Sequence, residues 1–204
     1  MNKIESTKIS LEAMRHSCAH VLAAAVLEMF PEAQLGVGPI IQDGFYYDFL
    51  LPRTLIPEDL PILEEKMRAF IAQDYHFERK EVGIPEAKKI LTAAKQPFKV
   101  ELVEEIERGE RATKKSGTVS FYKTGPLVDL CKGGHVESTK AIGPFKLLSI
   151  AGAYWKSDST RVALQRIYAT CWPTSTELDA YLALREEAHQ RDHRILGKQM
   201  DLFS

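Results

Sequence analysis

The chain has 204 residues, enough for one hydrophobic core with an appendage and too few for several catalytic domains. Hydrophobic residues make up 45% of it and charged residues 27%, which is typical of a soluble globular protein and excludes a disordered or fibrous one. The longest apolar run, residues 21–27, is far shorter than the roughly 20 residues of a membrane helix, so we expect no membrane partner. Three cysteines are too few for a disulfide scaffold and favour a reducing compartment, so we expect a cytoplasmic protein.

The charge of the chain is balanced overall but uneven along its length. There are 27 basic and 28 acidic residues, yet residues 111–166 carry 10 basic and only 3 acidic side chains. Aromatic residues are interleaved with the basic ones in this segment, which is typical of a surface that binds nucleic-acid phosphates. The alternative is a solvated strand face on which lysines protect the sheet edges. Charge alone does not decide between them.

The first predicted element is a helix that is capped by Ser10 and ends at Phe30, before Pro31. One face of this helix is apolar with a period of 3.6 residues. The opposite face is also largely apolar, and it carries His16 and His20 beside small apolar residues. A helix that is apolar on two sides is packed between other elements, so we expect both imidazoles to face an enclosed space.

Short strands and helices follow in alternation. Residues 40–50 predict a hairpin that turns at Asp43-Gly44. Pro57 is predicted to open a helix over residues 58–74, and the segment after Pro97, residues 98–107, is compatible with a strand or a helix. The remaining elements are strands at 77–82, 118–123, 145–155 and 162–172, a helix at 85–95, and a long charged helix at 174–198.

This order of elements predicts an α+β fold, with a mostly antiparallel sheet and helices packed on it. The last helix has few apolar residues beyond its first turns, a pattern typical of a connector between domains. We therefore predict one domain over residues 1–173 and a long C-terminal linker helix over residues 174–204.

Two short motifs carry side chains that bind metals or transfer protons. His16 and His20 are four residues apart on the first helix, so their imidazoles are stacked neighbours that can converge on one atom. Cys131 and His135 flank two glycines that allow the backbone to turn tightly. Together the pairs offer three nitrogens and one sulfur, a tetrahedral set that suits zinc. The alternative is that the histidines are satisfied core residues and the cysteine is a small buried hydrophobe.

Other motifs indicate less. His189 and His193 repeat the four-residue spacing, but charged neighbours on the C-terminal helix indicate a solvated face. The sequence contains no phosphate loop, no dinucleotide fingerprint and no metalloprotease motif, so it does not predict ATP-driven chemistry.

The motifs together resemble those of the N-terminal editing domain of bacterial-type threonyl-tRNA synthetase, in the threonyl and alanyl second additional domain superfamily. The resemblance runs from about Leu11 to Leu202. The His-x-x-x-His and Cys-x-x-x-His pairs are shared with alanyl-tRNA editing domains, whereas Ala151-Gly-Ala-Tyr-Trp155 and residues 191–198 are similar to the threonyl branch. Further segments that carry the resemblance are Asp129-Leu-Cys131, Phe145-Lys-Leu and Leu164-Gln-Arg-Ile-Tyr168.

The resemblance implies a proofreading activity that hydrolyses the ester of seryl-tRNA(Thr). Its partners would be the 3′ end of tRNA(Thr) carrying serine and the remaining domains of the synthetase. We expect the chain to be a piece of a synthetase, with a free-standing editing protein as the alternative. The linker helix would lead toward an aminoacylation domain, and no aminoacylation site is expected in this chain.

The resemblance also assigns roles to individual residues. The implied catalytic residues are His16, His20, Lys99, Asp129, Cys131 and His135. Tyr122 is the implied contact for the terminal adenosine, although a tyrosine on a strand is commonly only packed. The alternative for Lys99 is an ordinary surface lysine, and the alternative for Asp129 is an aspartate that caps a turn. We expect no obligatory cofactor, and zinc bound by His16, His20, Cys131 and His135 is the candidate metal.

Two other functions are compatible with the sequence. One is an alanyl-tRNA-type editing hydrolase, which would act on a different mischarged tRNA. The other is a non-catalytic tRNA-binding module with a structural zinc site, in which removal of the metal would unfold the domain.

Overall fold

A computed structural model describes residues 3–110 and 117–201, with side chains described for residues 11–110 and 117–191. The described residues form five α-helices and eight strands, with short 3₁₀ helices at Thr139–Ala141 and Trp155–Ser157. No helix among the described residues combines the length and the apolar character that crossing a bilayer requires. In chain order the elements are α1 (Lys3–Met29), β1 (Gln34–Leu35), β2 (Ile40–Ile41), β3 (Gly44–Leu50), α2 (Asp59–Ala72), β4 (Glu78–Gly83), α3 (Ile84–Ala93), α4 (Pro97–Arg108), β5 (Thr118–Thr124), β6 (Leu127–Leu130), β7 (Phe145–Tyr154), β8 (Ala163–Cys171) and α5 (Ser175–Asp201).

The strands form two sheets, and every described pairing is antiparallel. The larger sheet has the order β1-β3-β8-β7, with β2 also paired to β3, and the smaller sheet has the order β4-β5-β6. The predicted hairpin is β2 with β3, in which Ile41 pairs with Gly44. The α+β class with antiparallel strands is confirmed, and the strands are divided between two sheets.

Helix α1 lies in the middle of the core. Every residue from Ser17 to Val26 is buried, and the helix contacts α2 on one side and β3 on the other. The prediction that α1 is sandwiched is therefore confirmed. The helix begins at Lys3, earlier than the predicted cap at Ser10, because residues 3–9 contain no proline or glycine that would end it.

Residues 97–108 form a helix, which decides between the two conformations that the sequence allowed. Pro97 stands in the first turn, where its missing N–H costs nothing, and Gly109 ends the helix in the left-handed conformation with φ 74°. The side chains of Phe98 and Leu102 pack against Trp155 of the β7–β8 connection and Leu164 of β8. Val103 of the same helix packs in a second cluster with Val119 and Phe121 of β5, so α4 connects the smaller sheet to the larger sheet.

Strand β6 is a four-residue element that the sequence analysis did not predict. It follows Gly125, whose φ of 55° allows a tight turn from β5. Strand β6 places Asp129 opposite Tyr122 of β5. The predicted long C-terminal helix is present as α5, and its role as a linker stays a prediction.

Candidate active site

Four side chains with nitrogen or sulfur ligand atoms converge between α1 and the loop that follows β6. They are His16 and His20 of α1, and Cys131 and His135 of the loop, and one ligand atom from each lies within 4.8 Å of the others. Cys131 Sγ lies 3.2 Å from His16 Nε2 and 3.3 Å from His135 Nε2. The two pairs that the sequence predicted to share a site are thus adjacent in the structure.

The glycine-rich loop has the shape that this arrangement requires. The backbone N–H of Cys131 donates to the carbonyl oxygen of Ser120 at 3.0 Å, which fixes the start of the loop on β5. Gly133 and Gly134 both have positive φ angles, 108° and 88°, which turn the chain back toward α1. The N–H of Gly133 then donates to Cys131 Sγ at 3.3 Å. A Cβ atom at Gly133 would lie 2.5 Å from the Tyr122 hydroxyl, so a side chain there would displace the loop.

Ser17 is a site residue that the sequence analysis missed. It is fully buried, accepts a hydrogen bond from the N–H of Val136 at 3.0 Å, and lies 3.2 Å from His135 Nδ1 through its Oγ. These contacts connect α1 to the end of the loop and orient the His135 ring. The only signal in the sequence was a hydroxyl residue between two histidines on a sandwiched helix.

The four clustered groups are held in their neutral forms. Burial lowers the pKa of His16 and, together with the nearby His16, lowers that of His20 well below its ordinary value. Burial and the two other imidazoles lower the pKa of His135 to about 2. Burial also raises the pKa of the Cys131 thiol to about 11. At neutral pH the site therefore presents neutral imidazoles beside a neutral thiol.

A second group of polar side chains lies against the histidines. Lys99 of α4 and Asp129 of β6 form an ion pair, with the Lys99 ammonium 2.7 Å and 3.0 Å from the two carboxylate oxygens. The Tyr47 hydroxyl donates to Asp129 at 2.9 Å and accepts from Lys99 at 3.1 Å. Burial, with Asp129 nearby, raises the Tyr47 pKa well above its ordinary value, so this hydroxyl stays protonated. His20 Nε2 lies 4.0 Å from the Asp129 carboxylate.

These contacts argue against the structural alternatives for Lys99 and Asp129, while their catalytic roles stay predictions. Lys99 is 4% exposed, so it is not a surface lysine, and Asp129 is 2% exposed with its carboxylate bonded to side chains. Tyr47 was missed by the sequence analysis, because a tyrosine on a short strand is indistinguishable from a packing residue.

Tyr122 lies beside the cluster rather than on the cavity wall. Its ring packs on the His135 ring with centroids 4.5 Å apart, and its hydroxyl is close to Gly133. The structure thus brings Tyr122 to the site, where it supports the loop. Its predicted contact with adenosine stays a prediction.

Both groups of side chains open onto one cavity with a volume of about 910 Å³. Its polar wall is formed by His16, His20, Lys99, Asp129 and Cys131. The lining also contains apolar residues and three exposed charged residues. The apolar residues are Val37, Leu102, Ile106, Val119 and Leu130, and the charged residues are Arg79, Glu81 and Lys132. A substrate group that enters this cavity would meet an ammonium, a carboxylate and imidazoles.

The donor set of the cluster fits a zinc ion. Three imidazoles and one cysteine sulfur, which would bind as the thiolate, supply the nitrogen and sulfur ligands that zinc prefers in tetrahedral sites. The Nδ1 atom of His20 is buried and has no hydrogen-bond partner among the described residues, so this ring has an unused lone pair or N–H.

Most basic side chains in the described part of the basic segment, residues 111–166, are neutralised by acidic partners in the fold. Of its seven Lys and Arg residues within the described part of the chain, five form ion pairs with acidic residues. Residues 111–116 lie outside the described residues. His189 is exposed on α5, and the side chain of His193 lies outside the described part. The ion-paired residues are Lys140 with Asp74, Lys146 with Glu64, Lys156 and Arg161 with Glu101, and Arg166 with Asp48.

The sequence is similar to known proteins over its whole length. Residues 119–168 match the family described as the threonyl and alanyl tRNA synthetase second additional domain. The chain is 50% identical over its full length to the threonine–tRNA ligase of Dehalococcoides mccartyi, of which it covers 34%. It is 45% identical over 94% of its length to the ligase of Acetivibrio thermocellus and 46% identical over 95% to that of Nitrosococcus oceani, covering 29% of each.

The chain thus spans about a third of the length of the curated relatives it matches. The family match includes β5, β6 and the loop with Cys131 and His135, which is the part of the chain that completes the cluster on α1. The chain is thus similar over its full length to one part of these threonine–tRNA ligases, and residues 119–168 within it match the threonyl and alanyl tRNA synthetase second additional domain.

Proposed function

We propose that this chain hydrolyses the ester that joins serine to the 3′ end of tRNA(Thr), as the proofreading domain of a threonine–tRNA ligase. The observation that carries this proposal is the cavity in which an ammonium, a carboxylate and a cluster of imidazoles lie side by side. Ester hydrolysis requires a proton acceptor for water and a positive group for the developing oxyanion, and the cavity wall offers both.

The choice of serine follows from the limits of discrimination by size. Serine and threonine differ by one methyl group, and a pocket separates two such substrates by only about 1–3 kcal/mol. A synthetase that selects threonine therefore mischarges some serine. A second site that is too small for the extra methyl group of threonine removes the error by hydrolysing only the serine ester. The relatives of this chain are threonine–tRNA ligases, the enzymes that would need such a site.

Each side chain has a proposed role in this reaction. The Lys99 ammonium polarises the ester carbonyl and stabilises the oxyanion, while Asp129 fixes the ammonium and binds the amino group of serine. A neutral histidine of the cluster, His16 or His20, accepts the proton of the attacking water in the transition state and returns it to the ribose oxygen as the ester bond breaks. His135 and Cys131 hold that water in place. Water is the proposed nucleophile because the Cys131 sulfur stays protonated and already accepts a hydrogen bond from Gly133.

We expect the reaction to need no obligatory metal. When zinc is present, His16, His20, Cys131 and His135 would hold it, and the ion would supply Lewis acidity next to the scissile ester. A purely structural zinc site is typically closed, whereas three of these four residues line the cavity, which favours a catalytic role for the cluster.

The proposed partners are tRNA(Thr) carrying serine and the remaining part of the synthetase, in the cytoplasm where translation takes place. Two exposed basic residues of the cavity lining, Lys132 and Arg79, are the proposed contacts for the phosphates of the 3′ end, and Arg79 would exchange its ion pair with Glu81 for a phosphate. Since such contacts release counterions, tRNA binding is expected to weaken as the salt concentration rises.

The deciding experiment measures the release of amino acid from tRNA(Thr) charged with serine and, in parallel, with threonine. We expect the serine ester to be hydrolysed and the threonine ester to be spared. Lys99→Met is expected to lower the rate by at least about 100-fold. Lys89→Met is the matched control, because Lys89 is exposed on α3, which contributes no residue to the cavity.

Three outcomes would contradict the proposal. Equal hydrolysis of both esters would refute the size-based selection. Hydrolysis of serine from tRNA(Ala) but not from tRNA(Thr) would identify an alanyl-type enzyme. A folded protein that binds tRNA without hydrolysing it, and that unfolds when a chelator is added, would be a binding module with structural zinc.

A further inference from the structure

Helix α4 carries Lys99 and is attached to the larger sheet on both sides of that residue. On the N-terminal side, the side-chain amide of Gln96 forms two hydrogen bonds with the backbone at β1, one as acceptor and one as donor. The N–H of Leu35 donates to Gln96 Oε1 at 2.6 Å, and Gln96 Nε2 donates to the carbonyl oxygen of Ala33 at 3.0 Å. Both hydrogen-bonding groups of the side chain are used, so the start of α4 is fixed relative to β1.

The second attachment lies two residues after Lys99. The Glu101 carboxylate accepts hydrogen bonds from Nη1 and Nη2 of Arg161 at 2.7 Å each, from Trp155 Nε1 at 2.8 Å and from the Lys156 ammonium at 2.5 Å. All three donor residues belong to the connection between β7 and β8. Glu101 therefore fastens the first turns of α4 to this hairpin.

The hairpin is shaped to make these contacts. Lys156 has φ 56° and ψ 27°, a left-handed conformation that costs a residue with a side chain about 1 kcal/mol or more. Trp155 is 1% exposed, and its ring packs on Phe98 with centroids 4.7 Å apart. A strained residue and a buried indole thus both serve the contact with Glu101. These donors stabilise the charged form of Glu101. Arg161, together with Lys156 and Trp155, lowers the pKa of the Glu101 carboxyl to about 2.

We propose that Gln96 and Glu101 are positioning residues that hold the Lys99 ammonium at the reacting ester. This inference rests on the proposed function, in which Lys99 stabilises the oxyanion. Lys99 lies between the two attachments along α4, and its ammonium meets Asp129 and Tyr47 on elements other than α4. A rotation or shift of α4 would change the distances from the ammonium to all of these groups together.

The physical reason is the steep dependence of electrostatic catalysis on geometry. A misplacement of about 1 Å in a positioned catalytic group lowers a rate by as much as about 100-fold. A lysine side chain has four rotatable bonds, so its position is defined only when both its backbone and its ammonium are fixed. Asp129 and Tyr47 fix the ammonium, and Gln96 and Glu101 fix the backbone.

The test compares Glu101→Gln with Glu107→Gln, a matched control on the same helix. Glu107 forms an exposed ion pair with Lys88 at 2.6 Å and is remote in sequence from Lys99. Single-turnover hydrolysis of seryl-tRNA(Thr) is measured with each variant. We expect Glu101→Gln to lower the rate constant by about 10-fold to 100-fold with unchanged tRNA affinity, and the control to match the wild type.

A double-mutant cycle separates positioning from a general structural effect. If Glu101 acts through Lys99, the substitution Glu101→Gln should have no further effect on the rate in the Lys99→Met background. A further loss there, equal to the loss in the wild-type background, would overturn the proposal. Gln96→Glu, which keeps the shape but loses the donor to Ala33, should behave as Glu101→Gln does.

A second readout is independent of hydrolysis. The rate at which an amine-acylating reagent modifies Lys99 is followed by mass spectrometry of the folded proteins. We expect it to rise several-fold in Glu101→Gln and to stay unchanged in Glu107→Gln, with thermal unfolding confirming that both are folded. Unchanged acylation of Lys99 in the folded Glu101 variant would refute positioning. If the wild type proves inactive on seryl-tRNA(Thr), the proposed function fails, and acylation alone decides the role of Glu101 and Gln96.

Discussion

The buried ion pair between Lys99 and Asp129 allows a quantitative test through Asp129→Asn. Both side chains are almost fully buried, at 5% and 3% exposed, and the ammonium contacts both carboxylate oxygens. Removing one partner of a buried pair typically costs 3–5 kcal/mol, because it leaves the other charge uncompensated. The asparagine amide still offers an oxygen to Lys99, so we expect a loss of about 3 kcal/mol in the free energy of unfolding.

The double variant Lys99→Met with Asp129→Asn shows whether the uncompensated charge is the cause. It buries no charge at this position, so its loss should be smaller than the sum of the two single losses by roughly 2 kcal/mol. Unfolding in urea, followed by far-UV circular dichroism, gives all four free energies. Glu107→Gln is the control, since its exposed pair with Lys88 is worth less than about 1 kcal/mol.

The reasoning fails if Asp129→Asn is as stable as the wild type or if the two single losses simply add. Stability within about 1 kcal/mol of the wild type would mean that water or another group compensates Lys99 in the variant. Additive losses would mean that the ammonium and carboxylate do not depend on each other, contrary to their 2.7 Å contact.

Three further predictions concern other parts of the molecule. Arg161 and its neighbours lower the Glu101 pKa to about 2 in the folded protein, below its value in the unfolded chain. The ionised carboxylate therefore stabilises the fold above about pH 4.3, and this stabilisation is lost as the pH falls toward 2. Urea unfolding should show that the difference in the free energy of unfolding between wild type and Glu101→Gln shrinks over that range. Zinc should raise the unfolding temperature of the wild type more than that of Cys131→Ser, and a chelator should reverse this; equal shifts would exclude the cluster as the zinc site. Gly133→Ala should lower the hydrolysis rate at least about 10-fold while costing only about 1–3 kcal/mol in the free energy of unfolding. The reason is that Gly133 has a φ of 108° and that the new methyl group would meet the Tyr122 hydroxyl. A fully active variant would show that the loop tolerates a shift.

The sequence determined those features of the protein that depend on neighbours along the chain. The spacing of His16 and His20 places both on one face because the helical period is a local property, and the apolar residues around them predicted a buried face correctly. The two glycines before His135 likewise predicted a tight loop, since positive φ angles are accessible to glycine at little cost. The alternation of helical and strand patterns was sufficient for the α+β class.

Only the tertiary structure decided which of the other polar residues join the site. Asp129 contacts Tyr47, which is 82 residues away, and Lys99, which is 30 residues away, and no local period connects such positions. The same holds for Glu101, whose partners lie 54 to 60 residues further along the chain. Burial converts Lys99 and Asp129 from ordinary polar residues into partners that need each other, because a charge without a partner is costly in the interior. Burial and partners are properties of the folded chain, which is why the sequence left Lys99 equally compatible with a surface residue and a catalytic one.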